Sequence, residues 1–263
     1  MDFQLSGKNV LVTAASTGIG KAVAQLFLME NCNVTICSSS TEKLEKTYAE
    51  LSELNTGNIH FTKCDINNAD EINKTVEIAE EKYGPIDILV NNCGGPAPGF
   101  FDDIDENKWK EGFDQVLMSA VRFTKLVLPK MKERKWGRIV NITSISVKQP
   151  IDNLLLSNSF RSAVTAFSKT LSNQVGQFNI TVNNVAPGLT LTGRLDELAE
   201  LRAKEASIPK TKMLENMAND VPLKRLADPK EIASAVVYLG SNIGGYITGQ
   251  TIIIDGGFNK STY

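Results

Sequence analysis

The residues of this chain best placed to do chemistry are small ones. Thr13-Ala14-Ala15-Ser16-Thr17-Gly18-Ile19-Gly20 follows the apolar run Val10-Leu11-Val12 and precedes a helix-like pattern from Lys21 to Glu30. A short β-branched and aliphatic run reads as a buried parallel strand. In a strand–turn–helix the first N–H groups of the helix have no intrahelical partner. Small residues let a phosphate approach that backbone, and the helix dipole favours its negative charge. The stretch therefore predicts the phosphate-binding turn of a dinucleotide site, with Ala14, Ser16, Thr17, Gly18, Ile19 and Gly20 as its contacts. A glycine motif alone also fits an ordinary strand–helix connection, so the rest of the chain must decide.

The elements that would position such a turn recur along the sequence. Strand-like runs fall at 10–14, 34–38, 59–65, 86–92, 138–143, 181–186 and 251–255, and helix-like segments at 42–54, 69–83, 106–134, 158–178 and 229–239. This alternation predicts an α/β fold with one parallel sheet and helices on both faces. Right-handed crossovers then gather the strand C-termini at one edge, where open sheets bind ligands. No linker, repeat or low-complexity tract interrupts the chain, so residues 1–263 read as a single domain. The charged segment 190–220, which includes Pro209, departs from the tight alternation. It is a candidate substrate lid, with a peripheral helical pair as the equal alternative.

Further signatures sit at the predicted strand ends. Asp65-Ile66 follows the third strand, where a carboxylate suits an adenine amino group or, alternatively, a helix N-cap. Asn91-Asn92-Cys93-Gly94-Gly95-Pro96 follows the fourth. Its asparagine amides can tie neighbouring strands, and its glycines let a ligand ring pass close to the backbone. Pro187-Gly188-Leu189-Thr190-Leu191-Thr192 follows the sixth, and Ile247-Thr248-Gly249-Gln250 precedes Asp255-Gly256-Gly257 near the end.

Composition narrows the function classes. The chain has 263 residues, 42% hydrophobic and 22% charged, with a formal net charge of −2. That balance predicts no attraction to nucleic acid or to a membrane surface. No apolar run reaches the ~20 residues of a spanning helix, and the start MDFQLSGKNV has no signal segment, which predicts a cytoplasmic protein. The basic run 130–138 reads as a solvated helix end. Cys32, Cys37, Cys64 and Cys93 are widely spaced and His60 is the only histidine, so neither a metal site nor a histidine base is expected. The cysteines read as buried core thiols.

Taken together, the motifs resemble the short-chain dehydrogenase/reductase family over nearly the whole chain. The matches are T-A-x-x-x-G-x-G at 13–20, Asp65, N-N-C-G at 91–94, N-I-T-S at 141–144, P-G-x-x-x-T at 187–192, and the C-terminal P-L-K-R-L, I-T-G-Q and D-G-G. The pattern is most similar to the 3-oxoacyl-carrier-protein-reductase-like branch. The resemblance implies a doubly wound Rossmann fold with a seven-stranded sheet, a nicotinamide cofactor, a small-molecule substrate and a homo-oligomer, tetramer or dimer. It places Asp65, Ile66, Asn92, Gly94, Pro187, Gly188, Thr190 and Thr192 with the turn residues at the cofactor. Ala14 stands where the family usually has its first glycine. At the end of the second strand, Ser38 and Ser39 offer hydroxyls, Lys43 follows, and no acid precedes Glu42. A carboxylate there would bind the ribose diol and repel a 2′-phosphate, so NADP(H) is favoured over NAD(H).

The catalytic stretch departs from that family. Ser144 matches the serine that orients the substrate carbonyl. The tyrosine position holds Ser157, the lysine position Arg161, and the asparagine position in the preceding long helix Val116. No tyrosine lies between Tyr83 and Tyr238, so no shift of alignment supplies one. A serine hydroxyl is a far weaker acid than a phenol, and a guanidinium stays charged. Two readings follow: an NAD(P)-dependent oxidoreductase acting on a carbonyl or alcohol with an altered proton relay through Ser144, Ser157 and Arg161, or a non-catalytic dinucleotide-binding sensor or assembly subunit. In either, Arg161 can also hold the ribose of the nicotinamide half.

Overall fold

A computed structural model describes residues 2–262. Seven strands form one sheet: β1 (Asn9–Val12), β2 (Asn33–Ser38), β3 (Asn58–Lys63), β4 (Ile88–Asn91), β5 (Gly137–Ile142), β6 (Ile180–Pro187) and β7 (Thr251–Ile254). Their order is β3-β2-β1-β4-β5-β6-β7 and every pairing is parallel. The order reverses between β1 and β4, which opens the crevice where doubly wound sheets take ligands. The α/β Rossmann expectation therefore holds.

Side-chain alternation along each strand divides the core. Val10, Val12, Ile88, Val90, Val140 and Ile142 face one side, packed with residues of α1 (Gly18–Met29) and α9 (Pro229–Gly240). Leu11, Leu89 and Ile139 face the other, against α3 (Ala69–Tyr83), α5 (Ser119–Arg134) and α6 (Leu155–Val175). The period of two is what a sheet covered on both faces requires. Phe27 on α1 is fully buried, and a Cβ added at Gly240 of α9 would lie 3.0 Å from its ring. That contact lets α1 and α9 approach closely, and a buried phenylalanine of this kind is worth about 1.5–3 kcal/mol.

Several boundaries differ from the sequence expectation for physical reasons. β1 stops at Val12 because Ala14 turns to φ +46°, in the left-handed region. The long helix expected over 106–134 is interrupted. It runs as α4 (Glu106–Gly112), a π-helical segment at Phe113–Met118 that contains Val116, and then α5. The segment 190–220 forms the helical pair α7 (Gly193–Glu205) and α8 (Lys210–Asp220), held by its own small cluster of Leu195, Ala199 and Met217. The remaining helix, α2 (Thr41–Ser52), is capped by Ser40, whose Oγ accepts from the Lys43 N–H at 3.3 Å.

The basic run ends α5 as expected: Lys130 pairs with Glu80 and Arg134 with Asp87, at 2.6 and 3.3 Å. Arg138 beyond it is buried rather than solvated. Its guanidinium donates to the carbonyls of Gly137, Asn179 and Ser241. No helix among the described residues is long and apolar enough to cross a membrane.

Candidate active site

The glycine turn is braced from β4. Thr13 Oγ1 donates to the Asn92 carbonyl at 2.6 Å and accepts from the Asn92 N–H at 2.8 Å. Asn92 Nδ2 donates to the Ala14 carbonyl at 3.0 Å. This pins Ala14 in a conformation that a Cβ disfavours. Gly20 is a packing requirement, since a Cβ there would come within 2.8 Å of Ala14 O, Ala15 Cα and Asn92 Nδ2. At the start of α1, Thr17 makes no side-chain cap and the first turn holds no acidic residue. The first N–H groups of α1 therefore keep their donors and their positive end for an anion. These are the features that a cofactor diphosphate needs, and the residues present fit it.

At the end of β2 the Ser16 hydroxyl lies 2.9 Å from that of Ser38, Ser39 is exposed, and no carboxylate intervenes. Beneath this edge Cys37 and Cys64 meet. The hydrogen bond between them, with burial, raises the Cys37 thiol well above its ordinary range, while the same bond lowers that of Cys64. Asp65 Oδ1 accepts from the backbone and side-chain nitrogens of Asn67, each at 3.0 Å. The helix cap is Asn68, which accepts from the N–H groups of Asp70 and Glu71. The capping alternative for Asp65 is thereby corrected. Ile66 is half-buried beside it.

Across the crevice, Thr192 caps α7 through a bond from the Leu195 N–H at 3.3 Å, and its methyl rests against Gly18. Thr190 is buried, with its hydroxyl on the Gly188 carbonyl at 3.1 Å. Pro187 closes β6, and a Cβ at Gly188 would strike Asp255 at 2.7 Å. A groove of about 540 Å³ opens between Gly18, Lys21, Thr192, Asp196 and Pro229. It flanks the phosphate turn rather than the catalytic stretch.

The catalytic stretch is tightly filled. Ser144 is half-buried at the end of β5, and its Oγ accepts from the Ser146 N–H at 3.1 Å. Its own hydrogen stays available to an oxygen. Ser157 and Arg161, in the first two turns of α6, are 7% and 8% exposed. Arg161 Nη1 donates to the carbonyls of Ile142 and Thr143, both at 2.9 Å, and Nη2 approaches Gly94 O at 3.4 Å. The guanidinium thus ties the end of β5 to the loop after β4, with no carboxylate partner among the described residues. Only about 10 Å³ of space remains beside it, among Asn91, Cys93, Val116 and Ser119.

Below this site, asparagines tie the sheet as their side-chain chemistry suggests. Asn91, Asn141, Asn184 and Thr251 are in register on β4, β5, β6 and β7. Their side chains bond in sequence at 2.8, 3.2 and 3.1 Å, with Ser168 of α6 joining at Asn141 and Asn184. Sequence reasoning missed two contributors. Gln115, in the π segment, brings its amide beside Gly94, and Arg194 of α7 lies over Gly95. Asparagines at one register on successive strands are legible in a sequence. Neither Gln115 nor Arg194 carries such a signal.

A doubly wound sheet with an uncapped glycine turn at its switch point and a serine at the end of β5 defines a dinucleotide-dependent oxidoreductase. The chain belongs to the short-chain dehydrogenase/reductase family: a family profile described as enoyl-(acyl carrier protein) reductase matches residues 13–259. It is 32% identical to the 3-oxoacyl-(acyl-carrier-protein) reductase FabG of Thermotoga maritima, over 97% of this chain and 98% of that one. It is 31% identical to the NADPH-dependent reductase BacG of Bacillus subtilis, over 98% of this chain and 100% of that one. Among solved structures, L-sorbose reductase from Gluconobacter frateurii, complexed with NADPH and L-sorbose, superposes with a TM-score of 0.94 at 30% identity. That match covers 99% of this chain and 100% of that one.

Proposed function

We propose that this protein is an NADP(H)-preferring reductase of a small carbonyl compound, in which Ser157 and a fixed Arg161 stand in place of the phenol–lysine pair, Ser144 orients the carbonyl and water supplies the proton. The observation that carries the cofactor preference is the hydroxyl pair Ser16–Ser38 at the end of β2, with no carboxylate beside it. The relatives named above that are described or solved with NADPH support it. Ala14, Ser16, Thr17, Gly18, Ile19 and Gly20 would hold the diphosphate side. Ser38, Ser39, Asp65 and Ile66 would hold the adenosine side. Asn92, Gly94, Arg161, Pro187, Gly188, Thr190 and Thr192 would hold the nicotinamide side. The bound cofactor supplies a hydride.

The chain's own residues orient the acceptor. Ser144 donates to the substrate oxygen, because its lone pair is already engaged by Ser146. Arg161 contributes a fixed positive charge near the end of β5, and water supplies the proton that completes the alcohol. Positioning and charge stabilisation can each exceed the ~10²–10⁴-fold contributed by a general acid. The reading includes α7 and α8 as a substrate lid on a single catalytic domain, a cytoplasmic location, and assembly as a homo-oligomer of two or four chains.

A second reading shares this site. The family profile carries the description of an enoyl reductase, and Ser157 provides no acid for an alkoxide. Hydride delivery to the far carbon of a C=C bond conjugated to a carbonyl gives an enolate oxygen. That oxygen is less basic than an alkoxide and asks less of its donors.

Purified protein at high concentration, assayed with NADPH against ketones, aldehydes, acyl thioesters and their α,β-unsaturated counterparts, tests both. Consumption of NADPH with an alcohol product supports the first reading. A saturated carbonyl product supports the second, and no turnover despite micromolar NADPH binding sinks both.

A further inference from the structure

Two arginines from different helices grip the same three residues after β4. Arg161 reaches Gly94 O from α6, and Arg194 reaches Pro96 O from α7 at 3.2 Å. Between them a Cβ added at Gly95 would lie 3.0 Å from Arg194 Nε and 3.2 Å from its Nη2, so the guanidinium lies flat on a residue without a side chain. Two residues earlier in the same segment, Thr192 rests on Gly18, the residue that opens α1. The stretch from Thr192 to Arg194 therefore crosses the crevice from the phosphate turn to the loop after β4.

The charge along this crossing is unbalanced. Among the described residues Arg194 has one carboxylate within reach, Glu197, at 3.5 Å and itself 70% exposed. Asp196, the other acid of that turn, pairs with Lys210 at 3.2 Å. Arg161 has no acidic partner among the described residues, and the start of α1 adds its own positive end. A guanidinium carries five N–H donors in a planar fork. With one on Pro96 O and one directed at Glu197, Arg194 retains three for phosphate or carboxylate oxygens.

We propose that Arg194 is a cofactor-binding residue that closes over the dinucleotide and takes an oxygen of its nicotinamide-side phosphate, bolting α7 to the loop after β4. This rests on the reading of the chain as a dinucleotide-dependent reductase. A substrate carboxylate is the competing source of the same chemistry, and the test separates the two.

The experiment is titration of the wild type, Arg194→Ala and Arg194→Lys with NADPH, NADH and adenosine 2′,5′-bisphosphate, which lacks the nicotinamide-side phosphate, read by calorimetry. Loss of a charge-assisted bond predicts that Arg194→Ala weakens NADPH and NADH alike by about tenfold or more. The bisphosphate affinity should change by less than about twofold, and lysine should recover part of the loss. Unchanged dinucleotide affinity in Arg194→Ala overturns the proposal and moves the arginine to a substrate anion. An equal loss for all three ligands overturns it too, since a general field effect would then suffice. Should Arg194→Ala fail to fold, Gly95→Ala gives the same readout by displacing the guanidinium. If the wild type binds neither dinucleotide, the reductase reading itself falls, a result distinct from a defect confined to the variants.

Discussion

Arg161 Nη1 lies 2.9 Å from the carbonyl of Thr143, the residue immediately before Ser144. The guanidinium therefore sets the backbone on which Ser144, the serine proposed to orient the substrate, stands. Arg161→Ala should leave the buried carbonyls of Ile142 and Thr143 unpaired, each at a cost of about 1–3 kcal/mol. Urea denaturation should show that loss, and Arg161→Lys should show a smaller one. Equal stability of wild type and Arg161→Ala would mean that the bonds to β5 contribute little.

Ala14 is held at φ +46° by the bond from Asn92 to its carbonyl. A left-handed conformation costs a residue with a Cβ about 1–2 kcal/mol, partly offset in glycine by a more flexible unfolded chain. Ala14→Gly should therefore raise the thermal midpoint slightly and preserve NADPH affinity. A marked fall in either would show that the methyl group packs productively in the turn.

The four cysteines differ in environment. Cys32 is buried and donates to Leu5 O at 3.3 Å, and burial pushes its thiol up to about 12. Cys37 and Cys64 are also buried, whereas Cys93, between Asn92 and Gly94, is half-buried. Contrary to the expectation that all four are core thiols, Cys93 should be alkylated first in the native protein, and NADPH should protect it. Labelling followed by peptide mass spectrometry reads both outcomes. Rapid modification of Cys93 at saturating NADPH would place the loop after β4 away from the cofactor.

At the start of α9, two bonds of 2.6 Å from Arg225, with a bond from the Asp228 N–H, hold the Glu231 carboxyl down to about 2. A depressed carboxylate contributes stability above its ordinary value of 4.5 and loses it as pH falls toward the folded value. The difference in thermal midpoint between wild type and Glu231→Gln should be full above pH 4.5 and shrink toward pH 2. A constant difference would show that the ion pair is not its source.

Much of this was legible because it follows from periodicity and side-chain size. Val10 to Val12 and Ile88 to Val90 alternate between two cores, which only a sheet covered on both faces requires. Asn91 and Asn141 tie their strands through amides that are buried and need partners. The π segment at Phe113–Met118 was not legible, because a single π turn shifts the apolar period of a long helical pattern over too few residues to stand out. The bonds of Arg161 were not legible either. Its charge suggested a ligand contact, yet its geometry satisfies backbone carbonyls at the end of β5 and in the loop after β4, which sequence distance hides. Arg194 stood unmarked among the charges of 190–220, and its partner Pro96 is 98 residues away.

In the proposed mechanism hydride transfer proceeds without a titrating side-chain acid. Neither a serine hydroxyl nor a guanidinium changes charge between about pH 6 and 9. The most direct test is the pH dependence of kcat for NADPH-driven reduction by the wild type, beside the Ser157→Tyr, Arg161→Lys double variant. The wild type should give a flat profile, and the double variant faster carbonyl reduction with a new alkaline limb. A titrating limb in the wild type, or a double variant slower than the wild type, would mean that a side-chain acid takes part.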